Sequence, residues 1–195
     1  MTVHETPFAE ATRIAAGDDG THYDSVAIAL HWATALLVVT QFGLAETWDY
    51  FAKPTQDSMQ ALHMSFGVML TMVIIARLVW RLIPGHQLRS LEIGWVRIAS
   101  KGTHYLLYGL LVVAVALGFA LQWSRGHPVN FFGAGIPGPF GPFDRPVRGQ
   151  IKELHNYVAW TIIILAGLHA AAALYHHYVL KDRVLERMLP GHSER

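Results

Sequence analysis

The chain has 195 residues, a formal net charge of +1, 12 histidines and no cysteine; 52% of it is hydrophobic and only 15% charged. That length suits a single domain, and a balanced charge without any basic run gives nucleic acid nothing to hold. Without cysteine there is no disulfide, no cysteine-held iron–sulfur cluster and no haem attached through C-x-x-C-H.

The first residues are polar, with Asp18, Asp19 and Gly20, and no basic flank leads into an apolar core. They do not read as a secretory signal, and residues 1–22 are expected to be a flexible tail. Four uncharged runs follow: Ser25–Ala45 (21 residues), Ser58–Ala76 (19), Thr103–Trp123 (21) and Leu154–Leu180 (27). Each reaches the roughly 18–20 residues that a bilayer-spanning helix needs. The expected fold is all-α, an integral membrane four-helix bundle, with spans at about 25–45, 58–83, 101–123 and 151–180. Residues 23–190 form its one domain, and residues 191–195 a C-terminal tail.

Four spans put both termini on one side. That side would carry Arg81, Arg89, Arg97, Lys101, Lys181, Arg183 and Arg187. The other would carry Lys53, Arg125, Arg145, Arg148 and Lys152. The excess favours cytoplasmic termini.

His4, His22, His86, His127 and His192 fall in tails or loops and read as solvated. His31, His63, His104, His155, His169, His176 and His177 fall within or at the ends of spans, where ionisable groups face the bundle interior and mark function. His155 and His169 are 14 residues apart, so on one helix they share a face and lie about 21 Å apart. His31 starts the first span at the inner side, level with His169. His63 starts the second at the outer side, level with His155. Two pairs of imidazoles at two depths suit two haems stacked across the membrane, each held axially from both sides.

Other readings stay open. Zinc wants four ligands in a tight cluster, and a dinuclear iron site wants glutamates, which no span interior supplies. Copper lacks support, and histidines bonded to neighbouring helices remain the bland alternative. Arg77, 14 residues after His63, sits at the inner level, where a haem propionate would give it a bidentate counter-charge; snorkelling to the surface is the alternative. His104 also starts its span at the inner side. It competes for the inner haem, but pairing it would orphan His31 or His169, and contact with a propionate or quinone suits it better.

The stretches "YDSVAIALHW", "ALHMSFG", "KELHNY" and "GLHAAAALYHHYVLKDRVLERMLP" resemble the bacterial cytochrome b561 family, from about Tyr23 to Pro190. The likeness is to its short four-helix, superoxide:ubiquinone oxidoreductase type. It implies two non-covalent b-type haems, with ligands falling on His31 and His169 (inner) and His63 and His155 (outer). It also implies a place in the bacterial inner membrane. Superoxide at the outer face would be oxidised to dioxygen, and ubiquinone reduced to quinol. Lys152, in the family's K-x-x-H pattern before His155, would attract the anion, or else anchor the helix at the interface. Glu46, Asp49, Asp57, Asp144 and Glu153 offset the outer cations, so any steering is local. His176, seven residues past His169, would bond a quinone carbonyl and pass a proton. Tyr175, His177 and Tyr178 form an interfacial belt.

The chain departs from the family in its N-terminal tail and in the loop "SRGHPVNFFGAGIPGPFGPFDRPVRGQ". Six Gly and five Pro in those 27 residues are expected to preclude a regular element. Its four Phe should prefer burial, making it a folded lid over the outer haem. The rival function is an electron-carrying subunit that links a periplasmic redox partner to the quinone pool. A non-redox transporter or receptor, which would bind no haem, is the third.

Overall fold

A computed structural model of the chain describes residues 24–83, 95–181 and 185–189. The expected tails at 1–22 and 191–195 lie outside the described residues, as do His4, His22, His86, His192, Arg89 and Arg183.

Helix α1 (Ser25–Thr47) starts where Asp24, in extended backbone, accepts the Ala27 N–H on its side chain at 2.9 Å. An aspartate in this position is worth about 1 kcal/mol to a helix. The same carboxylate accepts the Trp80 indole N–H at 3.0 Å, tying the start of α1 to the end of the next helix. After a 3-10 turn at Trp48–Tyr50, α2 (Lys53–Leu82) opens with Pro54 in its first turn, where a missing N–H costs nothing. Lys53 and Asp57 pair there at 2.6 Å. The helix therefore begins five residues before the uncharged run at Ser58, because a charge interrupts hydropathy and not helicity. It stops at Ile83, held extended by the proline that follows.

Helix α3 runs Trp95–Ser124 and α4 Arg145–Tyr175. Here too both start before the expected 101 and 151. The α4 axis continues through a π-helical turn, His176–Leu180, which ends where Lys181 adopts φ 53° and donates its N–H to the His176 carbonyl. Beyond His176 the α-helical spacing used to align this end no longer holds. The four helices are long and apolar enough to cross a membrane, over Ser25–Tyr50, Lys53–Leu82, Ile98–Ser124 and Arg145–Leu180.

Helix α1 packs along α2, and α3 along α4; α2 and α3 join the two halves, while α1 and α4 touch little. Large apolar side chains face outward, Leu36 at 70%, Ile98 at 74% and Leu168 at 62% exposure, as a lipid-facing surface requires. The small core is Leu70, Ile74, Leu111, Val158 and Ile162, with Leu37, Val38 and Leu110 against it. These residues lie midway along the helices, between His63 and Arg77 on α2 and between His155 and His169 on α4. Lipid tails are as apolar as leucine, so this layer holds by close packing rather than by escape from water. It separates two polar levels, one near the end where α1 starts (the terminal end) and one near the opposite (distal) end.

The Gly/Pro-rich loop does contain a regular element, contrary to expectation. Strands β1 (Val129–Phe131) and β2 (Ala134–Ile136) pair antiparallel across a two-residue turn. Phe132 (φ 47°) and Gly133 (φ 93°) both carry the positive φ such tight turns demand. A phenylalanine there is strained. Its N–H is held at 3.0 Å by the hydroxyl of Ser65, a 2% exposed residue on α2, and Asn130 Oδ1 takes the Gly133 N–H at 2.9 Å. Tertiary anchoring thus supplies what the local sequence lacks. Of the four rings expected to be buried, only Phe131 is half-buried. Phe132, Phe140 and Phe143 are exposed, and they pair instead: Phe132 with Phe66, Phe140 edge-on to Trp123 and stacked on Phe143. The second half of the loop is fastened to α3 by the Trp123 indole, which donates to the Ile136 carbonyl at 3.1 Å, and by Phe143 N–H to the Ser124 carbonyl at 2.9 Å.

Candidate functional site

Each polar level is built from one histidine of α4 and one from the facing half. At the distal level the rings of His63 and His155 have centroids 6.4 Å apart at 79°. At the terminal level His31 and His169 stand 6.5 Å apart at 70°. Two imidazoles bound trans to one iron, each through a nitrogen at about 2.0 Å, have ring centres about 6.3 Å apart. Both pairs have that spacing. His104 lies 5.2 Å from His169, about an ångström too close for a shared iron, and forms a third ring at the terminal level. Among the described residues no three His, Asp or Glu side chains converge into a metal cluster.

What surrounds each ring matters as much as the spacing. A ligating histidine offers one nitrogen to the metal and usually donates the other N–H to a carbonyl or carboxylate. His63 Nδ1 lies 3.2 Å from the main-chain carbonyl of Gln41 on α1. A carbonyl only accepts, so the proton is on Nδ1 and the Nε2 lone pair is left for a metal. His155 packs its Cε1 against Gly118 of α3, where a Cβ would sit only 3.4 Å away. His155 Nδ1 is buried beside the Ala114 main chain without a well-formed hydrogen bond.

At the terminal level Arg77 Nη2 meets His31 Nδ1 at 2.9 Å. A guanidinium only donates, so Nδ1 accepts in this contact and the ring proton sits on Nε2. An iron at Nε2 requires the opposite tautomer, and Arg77 then turns its donor to another acceptor; the carboxylate of a haem propionate is one. The guanidinium is positioned by Tyr108 of α3, whose ring centre lies 5.0 Å from it. Arg81, one turn on, stands over Tyr105 and Tyr108 at 5.5 and 5.9 Å. Such stacking contributes about 0.5–2 kcal/mol.

The structure therefore brings together His31, His169, His104 and Arg77 at one level, and His63 with His155 at the other. It leaves Lys152 exposed on α4, three residues before His155, and His176 half-buried seven residues past His169. Sequence reading missed Gln41, Gly118, Tyr108 and Ser65. Gln41, an amide inside the first uncharged run, is the one with a visible signal.

Comparison with known proteins bears on this geometry. The family described as prokaryotic cytochrome b561 matches residues 22–191. The chain is 30% identical over 174 residues to cytochrome b561 homolog 2 of Escherichia coli K12, covering 86% of this chain and 90% of the relative. It is 29% identical over 170 residues to the probable superoxide oxidase CybB of Yersinia pestis, covering 86% and 96%. It is 30% identical over 173 residues to cytochrome b562 of Cereibacter sphaeroides, covering 86% and 94%.

Proposed function

The chain belongs to the prokaryotic cytochrome b561 family, a multi-pass membrane family of electron-transfer proteins, and from that premise we propose that it moves electrons across the bacterial inner membrane from superoxide to ubiquinone. The observation that carries the reading is the pair of imidazole pairs, 6.4 and 6.5 Å apart, on either side of one apolar layer.

His63 with His155 would hold the outer b-type haem, and His31 with His169 the inner one, in a chain whose termini are cytoplasmic. Bound there, the two haems supply one-electron carriers at two depths. The residues do the rest. The Gln41 carbonyl keeps the His63 proton on Nδ1 and leaves the Nε2 lone pair to ligate. Gly118 leaves room for the His155 ring between α3 and α4. Arg77, steadied on Tyr108, neutralises a propionate of the inner haem. His104, 5.2 Å from His169, would add a third polar ring beside the inner haem. Leu70, Ile74, Leu111, Val158 and Ile162 keep water and ions out between the levels.

At the outer face two superoxide ions each give up one electron and leave as dioxygen. Lys152 raises their local concentration, and the hairpin over Ser65 limits access to this end. The two electrons, with two protons, convert one ubiquinone to quinol at the cytoplasmic end. There His176 holds a quinone carbonyl and passes it a proton. The relative described as a probable superoxide oxidase supports the choice of donor.

The test is a dithionite-reduced minus oxidised spectrum of the purified chain with haem counted per protein, for the natural sequence and His169→Ala. Two haems falling to one in the variant support the reading; no haem, or an unchanged count, overturns it. Steady reduction of ubiquinone by superoxide with the isolated chain supports superoxide as the donor. Two haems without that turnover mark an electron carrier for a periplasmic redox partner instead.

A further inference from the structure

One charged atom at the distal end has no role in the geometry above. Arg148 Nε is buried and has no hydrogen-bond partner, and no carboxylate among the described residues pairs with the side chain. A guanidinium has five donors, no acceptor, and stays charged at any physiological pH. The Arg148 side chain is half-buried at the distal end, with its Nε donor shielded from water, and an anion there would complete it. The nearby acidic side chains, Asp144 and Glu153, are exposed instead.

The position of Arg148 says which anion. It precedes His155 by seven residues on α4, which returns it to within about 20° of the same face and about 10 Å further toward the distal end. Arg148, Lys152 and His155 therefore form one stripe, the first partly buried and the second exposed. A group that occupies the space between His63 and His155 and extends a carboxylate toward the distal surface runs along this stripe toward Arg148. At the terminal level a guanidinium, Arg77, already touches the histidine pair.

We propose that Arg148 is the charge partner of a propionate on the outer haem, so that α4 supplies both an axial ligand and the carboxylate clamp for that haem. This rests on the di-haem reading above. Arginine suits the task because its planar fork takes a carboxylate through two parallel hydrogen bonds, which lysine cannot do. Lys152, one turn deeper and exposed, is left to act on ions in solution.

The experiment uses the full holoprotein, natural sequence against Arg148→Gln and Arg148→Lys. Three quantities are read: haem per chain, the midpoint potential of each haem by optical titration, and the rate of haem transfer to excess apomyoglobin. Removing a cation beside a haem disfavours the reduced, more negative form. Arg148→Gln therefore lowers the potential of one haem only and speeds the loss of that haem severalfold, while Arg148→Lys recovers part of the potential and less of the retention. Unaltered potentials and transfer rates in both variants overturn the proposal, and do so even if superoxide turnover falls, since that result makes Arg148 a steering charge for the substrate. If Arg148→Gln does not fold, Arg148→Lys alone decides between the two. A natural chain without haem overturns both this proposal and the reading it rests on; two haems with unresponsive variants overturn this one alone.

Discussion

The Nδ1 of His63 is held by the main-chain carbonyl of Gln41, 3.2 Å away on the neighbouring helix. Because the acceptor is backbone, no side-chain substitution at position 41 removes it. The tautomer of His63 is built into the packing of α1 on α2, and what fixes it is how closely those helices approach.

Gly67 on α2 faces α1 at the Gln41 side chain. A Cβ at this position would lie 3.1 Å from the side-chain Nε2 of Gln41. Gly67→Val is expected to wedge the helices apart, displace the Gln41 carbonyl from His63, and reduce haem from two per chain to one. Gly67→Ala, which asks the amide to give only a few tenths of an ångström, should retain both haems with a shifted potential for one. Haem counting and redox titration of the two variants check this. Loss of the inner rather than the outer haem would contradict it.

His104 and His169 are neighbours at 5.2 Å, yet that spacing is too short for a shared iron. His104→Ala is therefore expected to keep two haems, while His31→Ala keeps one. A count of one in the His104 variant and two in the His31 variant would exchange their roles.

Much of this was legible in the sequence. Uncharged runs locate spans, because every polar backbone group in lipid must be bonded within a helix. Fourteen-residue spacings locate faces and depths, so His31, His63, His155 and His169 fell into pairs that the structure brings within 6.5 Å. What escaped notice were partners whose role is not written in their type. Gln41 acts through its carbonyl, Gly118 through the absence of a side chain, and Ser65 through a bond to a residue 67 positions away. The hairpin was missed because its turn residues, Phe132 and Gly133, lack the usual asparagine or aspartate. Its strain is offset by α2, which no local pattern reveals.

Arg77 contacts His31 at 2.9 Å and rests on Tyr108. Its substitution tests whether the inner haem needs that charge. Arg77→Leu is expected to lower the potential of the haem that survives His155→Ala and to speed its release severalfold. Arg77→Lys, with one point charge and no fork, should fall between. If both variants match the natural chain, the arginine only anchors α2 at the membrane surface.

Lys152 is exposed on α4 three residues before His155. As an attractor of a small anion it acts through a field that salt screens, over about 10 Å at 0.1 M ionic strength. Lys152→Gln should lower kcat/KM for superoxide a few-fold at low salt, and the difference should vanish near 1 M salt. The haem count should stay at two. A loss that persists at high salt would mark direct contact with the reacting ion, and no loss at all would leave Lys152 an interfacial anchor.

Ser65 carries the hairpin. Its hydroxyl accepts the Phe132 N–H at 3.0 Å and donates to the Ala61 carbonyl at 2.9 Å, so Ser65→Ala orphans a donor in a turn already strained at φ 47°. Losing a hydrogen bond of this kind costs about 0.5–1.5 kcal/mol, which loosens the hairpin locally while leaving the helices in place. The expected outcome is faster proteolytic cleavage within residues 125–144, with two haems retained and the outer one more reactive toward bulky oxidants. Ser65→Thr keeps the hydroxyl and should restore much of the protection. If Ser65→Ala is cleaved no faster than the natural chain, the Trp123 and Ser124 contacts alone hold the segment, and control of access at this end passes to them.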